Sequence, residues 1–105
     1  MIQAILLTTE NEAIRVELPD TGSLHALQSH VGGLIDVVRR DDFVGYVNDE
    51  GLLIGLDLNI MASALFNQYL VGNVVLVGAL NENGEYDGDN HDTPSWLNEL
   101  IFQSV

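Results

Sequence analysis

Apolar and polar positions along the N-terminal segment fall into a pattern that predicts two strands. Ile2 to Thr8 is an apolar run broken only by Gln3, and in Ala13 to Leu18 the residues Ile14, Val16 and Leu18 alternate with Arg15 and Glu17. A period of two marks a half-buried strand. The polar "TTENEA" joining the runs predicts an antiparallel hairpin, and Pro19 ends the second strand. In "DTGSLHALQSHVGG" the residues Leu24, Leu27 and Val31 share one face of a short helix. Thr21 or Ser23 is its expected cap and Gly32-Gly33 its left-handed stop.

Leu34 to Arg39 and Phe43 to Val47 predict two further strands, and Leu52 to Leu56 a third after the tight turn "NDEG". Asn59 is the expected N-cap of a second helix, Ile60 to about Gln68, with Met61, Ala64, Leu65 and Phe66 turned inward. "YLVGNVVLVGAL" is the most hydrophobic strand and is expected at the centre, buried on both faces. Asn83-Gly84 directly after it is a strong hairpin signal, so a short strand should return near Tyr86. "DGDNHD", Asp87 to Asp92, has no regular pattern. Thr93-Pro94 then opens a last helix, Ser95 to Gln103, with Trp96, Leu97, Leu100 and Ile101 on one side. The pattern predicts one α+β domain over residues 1–105, a mostly antiparallel sheet of five to six strands covered by two or three helices.

From Leu58 to Asn81 there is no Asp, Glu, Lys, Arg or His, yet Asn59, Asn67, Gln68 and Asn73 interrupt the stretch. A span needs about 20 mostly apolar residues, so this is core, and no membrane association is expected. The N-terminus lacks a basic leader region, so no signal peptide is expected and the cytoplasm is the expected compartment. The chain has no cysteine, which removes disulfides, thiolate metal sites and thiol catalysis.

Charge changes the picture most. Sixteen acidic residues face three arginines, with no lysine, for a formal net charge of −13. Such a body repels phosphate and anionic lipid, so direct nucleic-acid binding is not expected. Arg39 and Arg40 are expected to form local ion pairs with Asp36, Asp41 or Asp42.

Two segments, "LHALQSHVGGLIDVV" and "VNDEGLLIGLDLNIMASALFNQYLVGNVVLVG", resemble a family of small proteins with a domain of unknown function. Its members occur in bacteriophages, plasmids and actinobacterial or firmicute genomes. The resemblance runs from Leu24 to Gly78 and rests on turns, caps and buried strands. It implies a phage or mobile-element context, hence the host cytoplasm, and supplies no catalytic residue.

Candidate chemistry is sparse. His25 and His30 stand about 140° apart on a helix and cannot share a metal as an i, i+4 pair would. His91 lies among Asp87, Asp89 and Asp92, but no calcium-loop spacing fits: with Gly88 at the glycine position, Pro94 falls where the bidentate glutamate belongs. No nucleophile elbow, phosphate-binding glycine loop with lysine, or dinucleotide fingerprint is present. No cofactor, no metal and no enzymatic activity are therefore expected. The expected function is non-catalytic binding of a basic host protein through anionic side chains, inhibitory in effect, with imitation of DNA as the extreme form. The candidate contact residues are Asp41 and Asp42, Asp49 and Glu50, and Glu82, Glu85, Asp87, Asp89 and Asp92. Glu10, Glu12, Glu17 and Asp20 in the first hairpin and its exit form a further acidic row. A small-molecule-binding module is the alternative, an enzyme the third, and a purely solvating surface the simplest account of the charge. A homodimer is expected through the edge near Tyr86 or through Trp96 and Ile101.

Overall fold

The computed structural model describes residues 1–103. One sheet carries six antiparallel strands, and three helices cover it, which is the α+β architecture the pattern predicts. Strand β1 (Ile2–Leu7) pairs with β2 (Ala13–Leu18) from Ile2↔Leu18 to Leu7↔Ala13. Thr8 closes the hairpin: its hydroxyl accepts from the Glu10 and Glu12 amides, and Asn11 takes the left-handed conformation at φ 62°. The sheet order is β2-β1-β5-β4-β3, with β3 at Ile35–Arg39, β4 at Phe43–Asn48 and β5 at Val74–Leu80. Strand β5 is central, as its composition predicts, and all of it but Leu80 is buried.

Alternation along β1 and β5 feeds two cores. Ala4, Leu6, Val75 and Val77 pack with Leu27 and Val31 of helix α1 (Ser23–Val31). Ile5, Leu7, Val74 and Leu76 face the other way, onto Ala62 and Phe66 of α2 (Ile60–Phe66) and Leu97 of α3 (Ser95–Phe102). Burial of this kind contributes about 25 cal/mol per Å² of apolar surface, so both faces of the central strand stabilise the fold.

Asn59 caps α2 as expected, its side-chain oxygen accepting from the Ala62 amide at 3.0 Å. Gly32 stops α1 at φ 80°, and the Gly32 and Gly33 amides both bond the Gln28 carbonyl. Other expectations fail locally. Residue 22, a glycine at φ 72°, holds the N-cap position of α1, with no side-chain cap from Thr21 or Ser23. Helix α2 ends at Phe66, where Asn67 turns left-handed at φ 51°, and it buries Ala62 while Ala64 is exposed. The Thr93 hydroxyl accepts from Asn98 Nδ2 at 2.8 Å and leaves the first turn of α3 without a side-chain cap. On α3, Leu97 is buried while Trp96 and Leu100 are largely exposed. Leu52 to Leu56 is no strand: it coils into turns held by Ile54 N–H to Glu50 O, Gly55 N–H to Leu52 O and Leu56 N–H to Gly51 O.

"DGDNHD" resolves into regular structure. Strand β6 (Tyr86–His91) returns along β5 with Leu80↔Tyr86 and Gly78↔His91, and the register shifts between these pairs. A Cβ on Gly78 would collide with the Asp92 carbonyl, so glycine lets the chain leave β6 across the sheet toward α3.

Candidate functional site

Strand order brings distant acidic residues to one end of the sheet. Because β5 runs antiparallel to both β1 and β4, its C-terminal end lies beside the start of β1 and the start of β4. The same end receives Asp41 and Asp42 ahead of β4, Asp20 after β2, and Glu82 and Glu85 in the β5–β6 turn. Asp87, Asp89 and Asp92 follow on β6 and its exit. Asp49 and Glu50 lie elsewhere, at the opposite end of β4, about 20 Å away for a six-residue strand. Glu10 and Glu12, in the β1–β2 turn, are at that far end too, while Glu17 sits on β2 and accepts from Gln3 Nε2 at 3.0 Å. The three acidic rows are thus not continuous.

Backbone and side-chain bonds hold the near end in shape. Asn81 organises the turn: its side-chain oxygen accepts from the Asn83 and Glu85 amides at 2.9 and 3.0 Å. Gly84 takes φ 75° there, the left-handed residue that closes a three-residue hairpin loop after the Asn81–Gly84 turn. Asp92 Oδ1 accepts the Gln3 amide at 2.7 Å, tying the β6 exit to β1. Trp96 Nε1–H donates to Asp42 Oδ2 at 2.6 Å, and the indole meets Phe43 edge-on at 5.6 Å. That ring is therefore partly engaged within the fold. Tyr46 Oη–H donates to Asn90 at 2.6 Å, and burial pushes its phenol above the ordinary tyrosine value. A shallow cleft of about 370 Å³ is lined by Asp20, Glu82, His91 and Asp92 among others.

Asp87 and His91 meet across a kink at Gly88 (φ 80°), with His91 Nε2 2.8 Å from Oδ1 and 3.0 Å from Oδ2. The His91 hydrogen bond, and then the Asp89 amide, hold the Asp87 carboxyl below the ordinary aspartate value. Among the described residues no three His, Asp or Glu side chains group to hold a metal ion.

The arginines do not do what sequence proximity predicts. Arg15 lies 3.8 Å from the centre of the Phe102 ring, Arg39 5.5 Å from Tyr86 and Arg40 5.2 Å from Phe66. Arg39 also donates to the Tyr86 hydroxyl at 2.6 Å, and Arg40 to the Arg39 and Phe66 carbonyls. Among the described residues no arginine stands within ion-pair distance of a carboxylate. The ion pairs found are Met1 amine to Asp20 at 3.1 Å and His91 to Asp87 at 2.8 Å. The expected pairing of Arg39 or Arg40 with Asp36, Asp41 or Asp42 is thus replaced by aromatic and carbonyl contacts, which suit a weakly hydrated planar cation. Aromatic residues this distant in the chain, Tyr86 from Arg39 and Phe66 from Arg40 among them, cannot be assigned as partners from local spacing, so sequence reasoning missed these contacts.

No helix among the described residues is long and apolar enough to cross a membrane. No curated protein and no solved structure matches the chain significantly. One family profile does match, over residues 2–97, that of DUF3846, a domain of unknown function. The chain belongs to this family.

Proposed function

We propose that this protein is a non-catalytic binder that occupies a basic surface on another protein with the acidic end of its sheet. The observation that carries the reading is the lack of internal neutralisation. All three arginines lie near aromatic rings and none within ion-pair distance of a carboxylate, and Asp41, Glu82, Glu85 and Asp89 face solvent with no cationic side chain paired to them among the described residues. Uncompensated like charge destabilises a fold by self-repulsion. A complementary partner relieves it and gains association rate from the same field. Fixed turns and the Asp42–Trp96 and Asp92–Gln3 bonds hold part of this charge in set positions, which favours recognition over a diffuse solvating cloud. Imitation of DNA is the extreme form of this activity. A phage or mobile-element origin and action in the host cytoplasm belong to the same reading.

The test is capture from a host lysate on immobilised protein, wild type beside a Glu82→Lys/Glu85→Lys/Asp89→Lys variant. Salt is raised from about 0.1 M to about 1 M, over which the screening length falls from about 10 Å to about 3 Å. A basic protein retained by the wild type, released by salt and lost by the variant supports the reading. Retention indifferent to both salt and charge reversal contradicts it.

A second reading, a small-molecule module, is favoured by an apolar groove of about 530 Å³ lined by Leu7, Met61, Ala64, Leu65, Leu100 and Ile101. It predicts a raised melting temperature with an apolar metabolite, abolished by filling the groove with Ala64→Trp.

A further inference from the structure

The segment between β4 and α2 holds its apolar side chains away from the core. Leu52, Leu53 and Ile54 are 71%, 86% and 58% exposed, and Tyr69 beside them is 66% exposed. Burial of such side chains is a main source of stability, and leaving several in water forgoes it. The loop is not slack. Gly51 is buried against Val71, where a Cβ would come within 2.8 Å of the valine side chain. At the other end Leu56 packs on Gly72, which takes φ 76°. The Asn48 side chain accepts the Glu50 amide at 2.8 Å and donates to the Val31 carbonyl at 3.1 Å. Anchored at both ends, the leucines stand out along a groove of about 400 Å³ floored by Val38, Val47 and Val71 and edged by Asp36 and Asp49.

We infer that this groove is a docking surface for a linear segment of another protein that presents apolar side chains flanked by arginine or lysine. Charge selects the occupant. The groove is edged by Asp36 and Asp49, Glu50 precedes Gly51, and no basic side chain lines it. A second copy would bring these acids against their equivalents, on bodies each carrying −13. An apolar segment without basic flanks would fill the groove and leave the rim unanswered. The surface goes beyond the acidic end proposed above, since it lies at the opposite end of β4 from Asp41 and Asp42.

The experiment is selection of random linear peptides displayed on phage against the immobilised full chain, followed by affinity measurements on the enriched sequences as synthetic peptides. Enriched sequences should share two or more apolar residues flanked by Arg or Lys. Their affinity should drop about tenfold or more with Leu53→Asp, and likewise with Leu52→Ser/Leu53→Ser as a milder variant. It should be unchanged by Glu82→Gln/Asp89→Asn, which separates this groove from the acidic end. The inference is overturned if no sequence is enriched, if enriched sequences lack basic residues, or if they keep full affinity for both loop variants. It is equally overturned if the wild type self-associates and Leu53→Asp makes it monomeric.

Discussion

Single side chains decide where this fold is committed. Asn59 is fully buried, and its amide donates to the Leu7 and Gly72 carbonyls at 3.0 and 2.9 Å while its oxygen caps α2. It joins β1, the entry to β5 and α2 in one residue. Asn59→Ala removes the cap and orphans two buried carbonyls, so the expected loss is about 3 kcal/mol in a urea titration. Asp87 acts at the surface. Its lowered carboxyl pKa means that the folded state favours the charged form, so the contribution is present above the ordinary aspartate value and lost as pH falls through the lowered one. Asp87→Asn should lower stability slightly at neutral pH, where the contribution is present, match the wild type at the acid end, and so remove part of the acid sensitivity below roughly pH 4. Melting curves across pH 2–7 for the two proteins check this, and identical acid profiles would contradict it.

At the scale of elements, the close passage of Asp92 over Gly78 is the point where β6 and α3 depend on β5. Gly78→Ala forces backbone apart and should cost about 2–3 kcal/mol. Amide exchange should show protection lost first in β6 and α3, with β1, β4 and β5 retained; uniform loss would mean that the sheet unfolds as one unit. Most elements were legible in the sequence because their signals are local: an apolar run for β1, period-two alternation for β2, Asn59 before α2, Asn83-Gly84 before β6. "LLIGL" misled because apolar content resembles a strand, while turn bonds from Gly51 and Glu50 coil it outward. The acidic residues were legible one by one. Their grouping was not, since convergence of Asp41, Asp42 and Glu82 to Asp92 follows from β5 lying between β1 and β4. Asp49 and Glu50 were separated from them by that same order.

For the whole molecule, a charge of −13 with few internal ion pairs predicts a fold strained by its own field. Its melting temperature should rise as sodium chloride goes from about 0.01 M to about 0.15 M, where the screening length shortens from about 30 Å to about 8 Å; a flat response would mean that the charges are already compensated. The same field should speed encounter with a basic partner and do little to hold it afterwards. The direct measurement is the association rate constant with the captured basic protein across that salt range. It is made for the wild type and for Glu82→Gln/Glu85→Gln/Asp89→Asn. The expected rate falls steeply with salt in the wild type and starts about tenfold lower in the variant, with dissociation nearly unchanged. An association rate insensitive to salt, or equal in the two proteins, would contradict it.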